Sequence, residues 1–125
     1  MALKLMIVDD SNIIRSKITR TLSQHDMVVV ATASNGEEAI KLFAQSKPDV
    51  VTMDLTMPRM DGLECIRAIR KINPKIHILV VSALADKSTA IQALKEGAQG
   101  FLCKPFSESD LTEAMEELLG EDSDG

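Results

Sequence analysis

Tryptophan and tyrosine are absent from this 125-residue chain and phenylalanine occurs only three times, so there are few rings on which nucleobases could stack. Strongly basic stretches are missing too. The formal charge is −5 with acidic residues spread along the whole length, so no cationic stripe can neutralise a nucleic-acid backbone or an anionic membrane surface. Neither a nucleic acid nor a membrane is an expected partner. The segment Met1 to Val8 is apolar for only a few residues before Asp9 and Asp10 interrupt it, too short for a signal-peptide core or a membrane span. A cytoplasmic protein is expected. Cysteine is scarce: Cys65 and Cys103 stand in apolar runs without Cys-x-x-Cys spacing, which argues against a thiolate metal or redox site and predicts two reduced packing residues.

What the chain does have is enough apolar material, 45% of residues, for one domain with a real core, at a length too short for two. Short runs rich in β-branched residues alternate with longer segments of helical period. The predicted strands are Leu3 to Val8, Met27 to Ala31, Val50 to Met53, Ile76 to Val81 and Gly100 to Cys103. The first helix is expected over about Asn12 to Gln24, capped by Ser11, with Ile14, Ile18 and Leu22 on one face and Arg15 and Lys17 off it. The others are expected over Gly36 to Ser46, Leu63 to Ile72, Lys87 to Glu96 and Glu108 to Leu119, the last with Leu111, Met115 and Leu118 on one stripe. Five strands each followed by a helix imply a doubly wound five-stranded parallel α/β sheet covered on both faces. Residues 1–119 would form the domain, and the acidic, Gly- and Ser-containing residues 120–125 a frayed tail or the start of a linker.

In such folds ligands bind beyond the carboxyl ends of the strands. There the sequence places Asp9-Asp10, Asp54, Ser82 and Lys104-Pro105. Each has an ordinary alternative: Asp9 and Asp10 as helix-capping loop residues, Asp54 as a solvated loop carboxylate, Ser82 as a turn residue, Lys104 as a surface charge. Their joint placement at one sheet edge favours a common site. Three converging carboxylates repel one another unless a cation joins them, and all-oxygen ligation with open positions suits Mg²⁺. A hard cation, a lysine and a hydroxyl beside an exposed carboxylate suit formation of an acyl phosphate on that carboxylate.

Four segments carry a resemblance over nearly the whole length: Ile7-Val8-Asp9-Asp10, Met53-Asp54-Leu55-Thr56-Met57-Pro58-Arg59-Met60-Asp61-Gly62, Val80-Val81-Ser82-Ala83, and Gly97-Ala98-Gln99-Gly100-Phe101-Leu102-Cys103-Lys104-Pro105-Phe106. The chain resembles the receiver domains of two-component response regulators, single-domain chemotaxis regulators among them. The resemblance implies a flavodoxin-like sheet of order 2-1-3-4-5 and Asp54 as phosphoacceptor. It implies Mg²⁺ bound by Asp10, Asp54 and the backbone carbonyl of Thr56, with Asp9 acting largely through water, and Lys104 and Ser82 on the phosphoryl oxygens. Phosphoryl transfer needs in-line positioning and charge neutralisation more than acid or base groups, in keeping with that set. A histidine kinase would be the donor, with small acyl phosphates as substitutes, and the receiver would turn over no separate substrate. Ser82 and Phe101 would act as the switch, reshaping the face of the fourth helix, fifth strand and fifth helix for a downstream protein. A cis Lys104-Pro105 peptide is implied as well.

Thr56 and Leu84 occupy the two positions where such proteins often orient the hydrolytic water. Leu84 can neither donate nor accept a hydrogen bond, so a long-lived phosphorylated form is expected. On form, a chemotaxis- or motility-type regulator is favoured; the alternative is a receiver from a longer methylesterase or transcription factor. A flavodoxin-type FMN module shares the sheet order, but Asp9-Asp10 would repel the phosphate its first loop must cradle. An aspartate-nucleophile phosphatase needs an acid/base Asp where Thr56 stands.

Overall fold

A computed structural model describes residues 2–55, 62–83 and 87–123. In chain order the elements are β1 (Leu3–Val8), α1 (Asn12–Leu22), β2 (Met27–Ala33), α2 (Gly36–Ser46), β3 (Val50–Met53), α3 (Gly62–Ile72), β4 (His77–Ser82), α4 (Lys87–Glu96), β5 (Gly100–Cys103) and α5 (Glu108–Ser123). The strands pair in parallel in the order β2-β1-β3-β4-β5, the doubly wound α/β arrangement expected from the alternation.

The pleat sends alternate residues of each strand to opposite faces. From β1, Leu5 and Ile7 pack with Ile18 and Leu22 of α1 and Leu111, Met115 and Leu118 of α5, while Met6 and Val8 pack with Ala39 and Phe43 of α2 and Cys65, Ile66 and Ile69 of α3. All four residues of β3 are buried. A strand covered on both faces reads as a continuous apolar run, as Val50 to Met53 does apart from Thr52.

Helix starts follow local chemistry. Ser11 accepts from the Ile14 N–H and Asn35 from the Glu38 N–H, and Ser107 and Asp110 exchange reciprocal backbone-to-side-chain hydrogen bonds at 3.0 Å. Hydrogen bonding to Ser107, its backbone N–H first and its side chain second, holds the Asp110 carboxyl below its ordinary pKa.

Five elements differ from expectation in their bounds, α3 by starting at Gly62 rather than Leu63. Helix α1 ends at Leu22 because the chain tightens there, Gln24 N–H bonding Thr21 and His25 N–H bonding Leu22, before Asp26 turns at φ 62°. Strand β2 gains Thr32 and Ala33, which pair with Ile7 and Val8 after a register shift between Leu5 and Met6. Strand β4 slides one residue later, since the Ile76 N–H is taken by Asn73. Helix α5 continues past its expected end at Leu119 to Ser123. An established helix adds a residue at little cost, and Gly120 does not take the positive φ that would stop it. Among the described residues no helix is long and apolar enough to cross a membrane.

Candidate functional site at the carboxyl edge of the sheet

The sheet hydrogen bonding continues just past the strand ends. The Asp9 N–H bonds the Ala33 carbonyl at 3.0 Å, the Asp54 N–H the Val8 carbonyl at 2.9 Å, and the Lys104 N–H the Ser82 carbonyl at 2.9 Å. Asp9, Asp54 and Lys104 are thus each pinned to a neighbouring strand, and residues distant in sequence share one edge. Asp9, Asp10 and Asp54 each bring a carboxylate oxygen within 4.8 Å of the others. Asp9 and Asp54 are each 1% exposed, which corrects the expectation of an exposed carboxylate at Asp54, while Asp10 faces solvent and Ser82 is fully buried.

The Lys104 ammonium lies 2.8 Å from Asp9 Oδ2 and 3.7 Å from Asp54 Oδ2. One ammonium among three carboxylates leaves the cluster with excess negative charge, screened by water only on the Asp10 side. Asp9 Oδ1 accepts from the Ser11 N–H at 2.9 Å, so the helix-capping role and membership of the cluster hold together. Among the described residues none donates a hydrogen bond to the buried Asp9 Oδ2: Lys104 is near enough to pair with it electrostatically but stands off the directions of a good hydrogen bond. A buried, anionic oxygen with open lone pairs beside two further carboxylates fits a hard divalent cation such as Mg²⁺. Among the described residues no other group of His, Cys, Asp and Glu converges in this way.

The Lys104-Pro105 peptide is cis, as the resemblance implied. Phe101 is half-buried against the core cluster that includes Met53, Val80 and Ala93. Thr56 and Leu84 lie outside the described residues. Cys65 is buried and packs as expected, but Cys103 is exposed, which corrects its reading as a packing residue: β5 is an edge strand, and its last side chain points past the core.

Three contributors were not singled out from the sequence. Gly62 lets the start of α3 close on the Asp54 carbonyl. Arg15 donates to the Asp9 carbonyl at 2.5 Å and to the Asn12 side chain. Lys17 donates to the Phe106 carbonyl. A cation near the start of a helix opposes the macrodipole, and that was the one available signal for Arg15.

Comparison with known proteins agrees with this fold. The family model described as the response regulator receiver domain matches residues 5–116. The chemotaxis protein CheY of Listeria monocytogenes is 42% identical over 114 residues, 91% of this chain and 96% of the relative. That of Thermotoga maritima is 38% identical, covering 94% and 98%. Among solved structures, a CheX–CheY–BeF₃–Mg²⁺ complex from Borrelia burgdorferi superposes with a TM-score of 0.91 at 28% identity, covering 94% of this chain and 89% of that one.

Proposed function

Since the chain belongs to the response regulator receiver family, a family of signalling proteins that turn over no separate substrate, we propose that it is a phosphorylation-operated switch with Asp54 as acceptor. A carboxylate oxygen of Asp54 attacks the phosphorus of a kinase phosphohistidine, the P–N bond breaks, and the imidazole leaves with the bonding electrons. What carries this reading is the Lys104 ammonium, placed beside both Asp9 and Asp54 within a three-carboxylate cluster. Asp10, Asp54 and the Thr56 carbonyl would hold Mg²⁺ directly, with Asp9 largely through water. Bound there, the ion supplies neutralisation of the carboxylates and of the phosphoryl oxygens. Lys104 and the Ser82 hydroxyl receive the equatorial oxygens. Burial of Asp9, Asp54 and Ser82 keeps bulk water from the reacting carboxylate.

The output is binding. Movement of Ser82 toward the phosphoryl group opens space for Phe101, and the two packings differ on the face of α4, β5 and α5. Ile91 and Leu94 of α4, 44% and 49% exposed, support a protein partner on that side. The resemblance to CheY sequences supports a chemotaxis- or motility-type pathway, with a cytoplasmic location.

Incubation with acetyl phosphate and Mg²⁺ is expected to add the mass of one phosphoryl group to the intact protein, and to add none to Asp54→Ala or in the presence of EDTA. An adduct that persists in Asp54→Ala would remove Asp54 from the acceptor role. The lifetime follows from Leu84: Leu84→Glu is expected to shed the phosphoryl group severalfold faster by giving the hydrolytic water an acceptor. Unchanged decay by time-resolved mass measurement would detach Leu84 from the lifetime.

A further inference from the structure

The seam between α1 and α5 carries a contact that the phosphotransfer site does not account for. Lys17 is half-buried on α1, donates to the Phe106 carbonyl across 89 residues of chain, and lies over the same residue's ring, 4.6 Å from its centroid. Thr21 donates to Glu108 at 3.1 Å one turn further along α1, and His25 meets Thr112 at 3.4 Å beyond that. Those lower contacts tie α1 and the turn that follows it to α5. Lys17 instead ties α1 to the backbone two residues after Lys104.

Lys104 has a long, flexible stem, so the place of its ammonium depends on how firmly its backbone is held. On the N-terminal side its N–H is fixed to Ser82. Past Cys103 the chain leaves the sheet, and Pro105 has no N–H with which to bond. The next fixed point is Phe106, whose ring is buried with Leu5, Ile7 and Leu111 and whose carbonyl receives Lys17. An aliphatic residue at position 17 would pack against the ring equally well. The ammonium adds the anchoring of the carbonyl, and it does so at the cost of a partly desolvated charge.

We propose that Lys17 is a positioning residue for Lys104: by holding both ring and carbonyl of Phe106 it fixes the turn that delivers the Lys104 ammonium to Asp54. The proposal rests on the phosphotransfer reading above. Small misplacements of a catalytic group are expensive, up to about a hundredfold for roughly 1 Å, and the loss of one of several restraints should cost less.

The test compares Lys17→Met and Lys17→Arg for acetyl phosphate labelling at saturating donor and Mg²⁺, well below their melting temperatures. With no Trp or Tyr to report binding, Mg²⁺ affinity is followed by calorimetry. Lys17→Met is expected to label about tenfold more slowly with unchanged Mg²⁺ affinity, and Lys17→Arg to recover most of the rate, because a guanidinium can also donate to the carbonyl and stack on the ring. In a Lys104→Ala background, followed over a long time course, Lys17→Met should change labelling by less than about twofold, since a residue that acts only through Lys104 has nothing left to place. Wild-type labelling by Lys17→Met, or equal slowing with and without Lys104, overturns the proposal while leaving Asp54 as acceptor. Wild-type protein that takes up no phosphoryl group overturns the phosphotransfer reading and this one with it.

Discussion

Replacing Asp54 by Asn is expected to raise the melting temperature of the metal-free protein by several degrees while removing its capacity to be phosphorylated. Asp54 stands within 4.8 Å of both Asp9 and Asp10, and each such repulsion amounts to roughly 3.5 kcal/mol at an effective dielectric of about 20. Asp10 is exposed, so its share is strongly screened. The opposing attraction to Lys104 across 3.7 Å is roughly 4.5 kcal/mol on the same scale. Attraction and repulsion therefore nearly cancel, and the desolvation of a carboxylate only 1% exposed, about several kcal/mol, decides the sign. A neutral amide of the same shape escapes that cost, for a net gain of about 1–3 kcal/mol. Adding Mg²⁺ should reverse the order: a ligand bound by the folded state stabilises it by mass action, and the wild type, with its full acidic set, should gain more than Asp54→Asn. Calorimetric scans of both proteins with and without Mg²⁺ check this. A variant that melts lower in metal-free buffer, or equal Mg²⁺ shifts in the two proteins, would mean that the three carboxylates do not act as one site.

The residues of that cluster were legible because each interrupts an apolar run at the end of a strand, and the strand order brings those ends together. Asp9 follows Leu5 to Val8 and Asp54 follows Val50 to Met53, all buried. Residues whose role depends on reach were not legible. Lys17 looks like any lysine on the polar flank of an amphipathic helix, and its partner Phe106 lies 89 residues away. Cys103 sits in an apolar run, yet the edge position of β5 exposes it. Helix ends escaped for another reason. The stop after Leu22 is set by a turn ending in a left-handed Asp26 rather than by a glycine, and α5 runs through a glycine that sequence alone suggests as a terminator.

Gly62 shows how much of the site depends on a residue without chemistry of its own, and Gly62→Ala is expected to damage both fold and phosphotransfer. An added Cβ would stand 2.5 Å from the Asp54 carbonyl oxygen and 2.6 Å from Leu55 Cα. Both are backbone atoms, and the Gly62 N–H is bonded to the Leu55 carbonyl at 3.1 Å, so neither side can yield without moving the segment that carries Asp54. Overpacking of this kind costs roughly 1–3 kcal/mol, and the displaced carboxylate should label at least about tenfold more slowly with acetyl phosphate. Two further Gly→Ala changes separate the causes. At Gly97, φ is +126° and a Cβ would meet the Arg70 side chain at 2.7 Å, so Gly97→Ala should lose comparable stability through a strained backbone. Its contact is with α3 rather than with Asp54, so labelling below the melting temperature should stay close to wild type. At Gly120, inside α5, a Cβ meets nothing within 4 Å among the described residues, and alanine there should be neutral or stabilising by up to about 1 kcal/mol. If Gly62→Ala lowered the melting temperature but labelled as fast as Gly97→Ala, the close approach of α3 would matter to the fold alone, and the placement of Asp54 would have to rest on its bond to Val8.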